Sequence, residues 1–280
     1  MRTIEADAVI GAVEELCIKA NYYLNDDMLE AFKKGLESEE SPVGRDVLQK
    51  IIENSEIARC ENMAICQDTG MAVFFVDIGQ DLHITGGNLT EAINEGVRRG
   101  YEKGFLRKSV VRDPIERVNT GDNTPAVIHY TLVPGEKLKI VFAPKGFGSE
   151  NMSALKMLKP SDGIEGVKKF ILETVSNAGP NPCPPIVVGV GIGGTMEKAA
   201  LLAKSALLRP VNERNSIEYV KKLEEEMLEK VNKLGIGPAG LGGRTTALAV
   251  NVEVFPTHIA GLPVAVNINC HATRHAEAEL

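Results

Sequence analysis

The chain has 280 residues, of which 44% are hydrophobic and 25% are charged. This is the composition of a globular protein with a large core. Its net charge of −7 repels phosphate backbones and anionic lipid, which argues against nucleic-acid and membrane partners. No apolar run approaches the ~18 residues of a spanning helix, and the N-terminus lacks a secretory signal pattern. We therefore expect a cytoplasmic protein.

The first part of the chain has the spacing of helices, and the remainder mixes helices with strands. Residues 4–59 place apolar side chains three and four positions apart, with Asn25 as a candidate N-cap. The elements predicted after Cys66 are strand 71–79, helix 89–104, strands 126–133 and 138–144, helix 161–179, strand 185–194, helices 195–208 and 215–234, and strands 246–255 and 262–270. The pattern predicts an α+β fold, in which a helical N-terminal lobe (1–65) packs on a mixed α/β body (66–280).

A glycine motif is the strongest indication of a nucleotide-dependent enzyme. Gly189, Gly191 and Gly194 satisfy G-x-G-x-x-G between a predicted strand and a predicted helix, as in an NAD-dependent dehydrogenase. However, no second strand ending in an acidic residue follows that helix. Glycines that let a helix pack closely on a strand explain the motif more simply.

The cysteines suggest metal binding without proving it. Their number is odd and none forms a C-x-x-C pair, which disfavours both a disulfide framework and a zinc knuckle. Cys17 falls on an apolar helix face and is predicted to be a core residue. Three others lie in polar or proline-fixed surroundings: Cys66 in ICQDTG, Cys183 in GPNPCPP and Cys270 in NCHATRH. Three such thiolates could hold an iron–sulfur cluster, but their spacing alone fits three unrelated thiols equally well.

Several long motifs, in collinear order over nearly the whole chain, carry a family resemblance. ICQDTG, NTGDNTPA, PKGFGSENMSALKML, GPNPCPPIVVGVGIGGT and PTHIAGLPVAVNINCHATRH resemble the class I fumarate hydratase family, which includes L-tartrate dehydratases. The resemblance implies a [4Fe-4S] cluster on Cys66, Cys183 and Cys270, with one iron open as a Lewis acid. It implies reversible hydration of fumarate to (S)-malate. L-tartrate dehydration, a non-catalytic iron–sulfur protein and a dehydrogenase remain alternatives. Cys60 lies outside the motifs and is expected to be structural.

The same resemblance assigns roles to individual side chains. Gln67 and Asp68 match a pair that contacts substrate and takes part in proton transfer, and His258 matches an active-site histidine. Arg107 resembles an arginine that binds a substrate carboxylate through its planar fork of donors. Arg112 lies nearby and is the other candidate for that role.

Two further groups of residues follow from the resembled motifs. Gly146 and Gly148 match a glycine turn that lines the substrate pocket, although Phe147 replaces a glycine that many relatives have between them. Basic residues follow Cys270, and their charge is expected to balance a negatively charged cluster; they are His271, Arg274 and His275.

The end of the chain bears on its partners. The sequence stops at HAEAEL, where single-chain members of the resembled family continue into a domain with further basic residues and the proposed carbon base. A buried dicarboxylate needs both charges paired, and this chain offers one good clamp, Arg107. The resemblance therefore implies a separate β subunit, two copies of each chain, and activity only in that complex.

Overall fold

The structure is a computed structural model that describes residues 2–280. The helices are α1 (Ala6–Tyr22), α2 (Asp26–Ser38), α3 (Pro42–Glu61), α4 (Leu89–Lys103), α5 (Phe147–Glu150), α6 (Gly163–Ala178), α7 (Met196–Ala206) and α8 (Glu218–Asn232). The strands are β1 (Arg2–Glu5), β2 (Met71–Gly79), β3 (Leu82–Thr85), β4 (Val127–Val133), β5 (Leu138–Lys145), β6 (Ala154–Leu158), β7 (Ile186–Gly193), β8 (Ala247–Phe255), β9 (Leu262–Asn269) and β10 (Ala276–Glu279). The fold is α+β, as the sequence predicted.

Tertiary contacts divide the chain into two compact units that alternate along the sequence. The first unit contains the residues up to Leu24, together with Ser55–Phe147 and Arg274–Leu280, and the second contains Asn25–Asn54 and Gly148–Thr273. Helices α1 and α2 fall in different units. The division into a helical lobe and a mixed body stays a prediction.

The first unit is built on a four-stranded sheet in the order β10-β5-β2-β4. Strand β2 pairs antiparallel with β5 and parallel with β4. Helices α1 and α4 share one core cluster with the sheet, which includes the stacked rings of Phe74 and Phe142, 5.0 Å apart. Helix α4 begins where Asn88 accepts a hydrogen bond from the N–H of Glu91, a typical N-cap.

The register of this sheet brings three loops to one edge. Met71, the first residue of β2, pairs with Lys145, the last residue of β5. Because β4 runs parallel to β2, with Val127 opposite Val73, its start lies at the same end. The loops before β2, after β5 and before β4 therefore meet there.

The second unit has the strand order β6-β9-β7-β8, with apolar side chains on both faces. Along β9, Val264, Val266 and Ile268 join the core formed with α6 and α8. Ala265 lies on the other face with Ala199 and Ala203 of α7. This alternation is the period of two that a strand imposes, and it explains why β7 and β9 read as continuous apolar runs.

The glycine motif of this unit serves close packing. A β-carbon at Gly189 would lie 2.1 Å from the carbonyl oxygen of Ala203, and one at Gly191 would lie 2.1 Å from that of Ala199. No real side chain tolerates such distances, so both positions need glycine for α7 to rest on β7. This supports the packing explanation of the motif over a dinucleotide site.

Among residues 2–280, no helix combines the length and the apolar character needed to cross a membrane.

Candidate active site

The loop that precedes β2 carries three of the residues expected at the site. Cys66, Gln67 and Asp68 lie in this loop of the first unit, where the sheet register also brings the loops before β4 and after β5. Cys66 and Asp68 are half-buried and Gln67 is exposed. The three are therefore accessible at one edge of a rigid sheet, the arrangement expected of functional loops.

The Asp68 carboxylate is held by two main-chain donors. Its Oδ1 accepts a hydrogen bond from the N–H of Gly70 at 3.0 Å, and its Oδ2 accepts one from the N–H of Phe147 at 3.0 Å. Each carboxylate oxygen has a second lone pair, so both remain able to accept a proton or a substrate hydroxyl. The group is thus oriented without being saturated.

The Cys66 thiol is already in contact with both of its neighbours. Its sulfur accepts a hydrogen bond from the N–H of Asp68 at 3.4 Å, and the thiol donates to Oε1 of Gln67 at 3.6 Å. Amide donors of this kind stabilise and tune a thiolate that ligates a cluster. The first predicted ligand therefore has suitable surroundings within its own loop.

Arg107 is joined to this loop through its main chain. The hydroxyl of Thr69 donates to the carbonyl oxygen of Arg107 at 3.1 Å, and the Arg107 side chain is exposed. Arg112 is also exposed and lies in the turn beyond it, bonded through its N–H to Val118. The main chain of Arg107 is therefore joined directly to the residue after Asp68, whereas that of Arg112 is bonded within its own turn.

The two glycines of the turn after β5 differ in how closely they approach other atoms. A β-carbon at Gly146 would lie 3.1 Å from Asp68 Oδ2, so any side chain there would crowd the carboxylate. At Gly148 the nearest atom is the carbonyl oxygen of Asn181 at 3.9 Å, which leaves ordinary space. Phe147 exposes its ring and uses its main-chain N–H toward Asp68, so replacing glycine at this position preserves the contact.

Buried side chains hold three successive carbonyl groups of the loop before β2, those of Asp68, Thr69 and Gly70. Arg274 Nη2 donates to the carbonyl of Asp68 at 2.9 Å. The Tyr101 hydroxyl donates to the carbonyls of Thr69 at 2.7 Å and Gly70 at 3.1 Å. Burial raises the pKa of Tyr101 well above its usual range, so its hydroxyl stays protonated and donates. The sequence predicted only charge balance for Arg274 and did not mark Tyr101, because nothing local shows which carbonyls either side chain reaches.

In the second unit, two of the predicted cluster ligands share one end of the sheet. Cys183 comes just before β7 and Cys270 just after β9, and the antiparallel register pairs Val187 with Asn269. His271 bridges the two loops, because its N–H and its Nδ1 both lie within hydrogen-bonding distance of the Cys183 carbonyl, at 3.2 and 3.0 Å. His271 therefore ties the two loops together.

Cys183 adopts an unusual backbone conformation. Its φ is +54°, a value uncommon for residues other than glycine and enriched at functional sites. Its side chain is exposed and Cys270 is half-buried. Within either unit, the described residues contain no group of three His, Cys, Asp or Glu side chains placed to hold a metal ion; the three predicted ligands belong to both units.

His258 lies at the other end of the same sheet. It follows β8, and the turn that contains it is bonded to the far end of β7, where the Thr257 hydroxyl donates to the Gly194 carbonyl at 2.8 Å. The eight residues of β9 separate this turn from Cys270 by roughly 25 Å. The exposed His258 ring accepts the N–H of Ala260 at Nδ1, so a neutral ring carries its proton on Nε2. The second unit does not bring His258 to its two cysteines.

The remaining two cysteines differ from the three above. Cys17 is fully buried between α1 and α4, and burial, helped by the Glu14 charge, raises the pKa of its thiol strongly. This confirms the prediction of a core cysteine. Cys60 is exposed near the end of α3 and provides an accessible thiol outside the resembled motifs.

Comparison with known proteins places the chain in a family. The family described as Fumarate hydratase (Fumerase) matches residues 10–279. A protein of Methanocaldococcus jannaschii, named as a candidate L(+)-tartrate dehydratase subunit alpha, is 47% identical over 96% of this chain and 96% of its own. The L(+)-tartrate dehydratase subunit alpha of Escherichia coli strain K12 is 34% identical over 89% of this chain and 83% of its own. The chain therefore belongs to the fumarate hydratase (Fumerase) family of hydro-lyases.

Proposed function

We propose that this chain is the α subunit of an iron–sulfur hydro-lyase that adds water reversibly to fumarate to give (S)-malate. The observation that carries the proposal is the arrangement around Asp68. The oriented carboxylate of Asp68 lies beside an accessible thiol, that of Cys66. The next residue, Thr69, donates to the main-chain carbonyl of Arg107, whose side chain is exposed. This arrangement suits proton transfer on a bound carboxylic acid.

Cys66, Cys183 and Cys270 are the proposed ligands of a [4Fe-4S] cluster. The donor chemistry fits, because all three thiols are free of disulfides and at least partly exposed. Cys66 also has the amide hydrogen bond that such ligands favour. When bound, a cluster with three cysteine ligands supplies a Lewis acid at its fourth iron.

Each of the other predicted site residues in the first unit has a proposed task. Asp68 exchanges a proton with the water or hydroxyl oxygen of the substrate, using the free lone pairs of its carboxylate. Gln67, exposed beside it, binds a substrate oxygen. Arg107 pairs with one substrate carboxylate, and Gly146 leaves room for the other end of the molecule near Asp68.

The site's histidine, His258, is proposed to come from a second copy of the chain. If it acts on a substrate held near Cys270, the separation along β9 means that a second copy of the chain must supply it. The exposure of its turn at the far end of the sheet supports contact with such a neighbour. The proposal therefore includes self-association of the α subunit.

A separate β subunit completes the proposed enzyme. The relatives above are named as alpha subunits, which supports a partner chain. The described residues offer no assigned base for the proton on the substrate carbon, and that base is proposed to lie on the β subunit, in an assembly of two copies of each chain. The partner would also exclude water from the site.

Dehydration of L(+)-tartrate is the second candidate reaction. The names of the relatives favour it, whereas the description of the matching family favours fumarate. Both substrates are four-carbon dicarboxylates that lose or gain water between the carboxyl groups, so the same residues serve either reaction.

The test is anaerobic reconstitution of the chain with iron and sulfide, together with its β subunit, followed by assays on fumarate, malate and tartrate. We expect about four irons per chain and turnover of fumarate and malate. Replacing Cys66, Cys183 or Cys270 by serine should abolish both, whereas the matched control Cys60→Ser should keep both. Equal iron loss in Cys60→Ser and Cys66→Ser would refute the ligand assignment. A full complement of iron without turnover of any dicarboxylate would instead indicate a non-catalytic iron–sulfur protein.

A further inference from the structure

The motif NTGDNTPA contains a buried residue that the proposed function leaves without a task. Asn123 lies in the loop before β4, at the sheet edge that carries Asp68 and Arg107. Its side chain is 0% exposed and its φ is +62°, a left-handed conformation that asparagine tolerates better than most residues.

The amide of Asn123 connects two segments of the site. Its Oδ1 accepts hydrogen bonds from the N–H groups of Ser109 and Val110, at 2.7 and 3.2 Å. Its Nδ2 donates to the carbonyl of Gly70 at 3.2 Å. One side chain therefore joins the segment that follows Arg107 to the loop that carries Asp68.

Only an amide of this length can make both connections. An aspartate could accept the two N–H groups but could not donate to the Gly70 carbonyl, and an apolar residue could do neither. Because the group is buried, a lost partner is not replaced by water at low cost. The neighbouring Asp122 fixes the same turn by accepting from the N–H and the hydroxyl of Thr124 and from Arg98.

We propose that Asn123 is a positioning residue that holds the segment following Arg107 against the loop of Asp68, and so keeps both groups in place for a dicarboxylate substrate. The inference rests on the proposed function, because it assumes that Arg107 binds a carboxylate and Asp68 transfers a proton. Loss of the connection frees the Arg107 segment, which weakens substrate binding, and it misplaces the carboxylate relative to the reacting carbon, which slows turnover.

The kinetic test compares two isosteric changes in the assembled enzyme. Asn123→Asp removes the donor to Gly70. Asn94→Asp is the matched control, because Asn94 is also buried and loses an equivalent donor, here to the Thr90 carbonyl, while its oxygen still accepts from the Ala126 N–H. We expect Asn123→Asp to raise KM and lower kcat by about tenfold each, and Asn94→Asp to leave both within about twofold. Equal kinetic effects of the two changes at equal stability would overturn the proposal.

A second measurement does not depend on activity. Amide hydrogen exchange of the chain without a cluster reports the Ser109 and Val110 N–H groups directly. Asn123→Gly, which suits the left-handed backbone, should speed exchange in the peptide over 107–112 and leave α4 unchanged. Unchanged exchange would show that Asn123 does not hold this segment. If the wild-type enzyme turns over no dicarboxylate, the proposed function fails, and with it the role of Asn123 toward substrate; the exchange result still decides whether the connection exists.

Discussion

The guanidinium of Arg274 donates to the main-chain carbonyl of Asp68, with 2.9 Å between Nη2 and the oxygen. The same guanidinium reaches Oδ1 of Asn21 through Nη2 and Nε, at 3.0 and 3.3 Å. Arg274 is 5% exposed and Asn21 is fully buried. Asn21 in the first helix thus orients the guanidinium of Arg274, which holds the carbonyl of the proposed proton-transfer residue.

Replacing Arg274 by lysine tests this arrangement. Lysine keeps the charge but lacks the planar fork, so it cannot reach Asn21 and the Asp68 carbonyl together. We expect a loss of about 2 kcal/mol in the free energy of unfolding, measured by urea denaturation, and lower kcat in the assembled enzyme. Arg99→Lys is the control, because Arg99 forms only an exposed ion pair with Glu95 and should change stability by less than about 0.5 kcal/mol. Equal costs for both would contradict the role of Arg274.

Tyr101→Phe removes the hydroxyl shared by the Thr69 and Gly70 carbonyls. Because Gly70 keeps its bond from Asn123, only the Thr69 carbonyl loses its donor completely. We expect a destabilisation of about 1–2 kcal/mol together with reduced kcat. Tyr22→Phe, which removes a single bond to the Gly104 carbonyl, should cost similar stability without the kinetic effect. A kinetic change in both variants would show that general stability, and not the loop, is responsible.

Glu39→Gln tests a buried carboxylate in the second unit. Glu39 is 3% exposed and accepts from the N–H groups of Glu40, Ser41, Arg244 and Thr245. Glutamine would direct an amide donor at some of these donors, so we expect a loss of about 3 kcal/mol in unfolding free energy. The control is Glu40→Gln at the exposed neighbouring residue, which loses one ion pair with Arg244. It should lower the free energy of unfolding by less than about 1 kcal/mol. Near-equal losses of the two variants in denaturant titrations would contradict a stabilising role for the buried Glu39 carboxylate.

Stability should fall at acid pH, in part through Asp122. Burial opposes its ionisation, but hydrogen bonds from Thr124 and Arg98 lower its pKa to about 2, from a model-compound value of 3.8. A carboxyl with a lowered folded-state pKa stabilises the fold above its unfolded pKa, and this stabilisation disappears as the pH falls toward 2. We expect the free energy of unfolding of the wild-type chain to be about 2 kcal/mol higher than that of Asp122→Asn near neutral pH. The difference should shrink below about pH 4; a difference independent of pH would contradict this origin.

His258 should act across copies of the chain. Asp68→Asn and His258→Asn should each inactivate the assembled enzyme. When the two variants assemble together, a mixed dimer regains one intact site, so about a quarter of the wild-type activity should return. Absence of any recovery, with mixed assemblies demonstrated by differently tagged chains, would show that His258 acts within its own chain or not at all.

Local sequence determined much of this protein. The apolar spacing of α1, α2 and the strands β2, β5, β7, β8 and β9 predicted their positions, because side-chain burial follows the 3.6 and 2.0 periods of the backbone. Short edge strands such as β1 and β10 carried too few apolar residues to be recognised. Asn25 does occupy the N-cap position of α2, but its side chain makes no capping bond. The motifs were enough to identify the family and to place Cys66 and Asp68 in loops.

Only the tertiary structure decided which distant residues support these loops. Arg274, Tyr101 and Asn123 bond to carbonyls that lie between 31 and 206 positions away, and no periodicity or motif encodes such pairs. The reason is physical: buried carbonyl groups must find donors, and sheet register determines which donors are within reach. The same register placed His258 at the opposite end of β9 from Cys270, although only 12 positions separate them in the sequence.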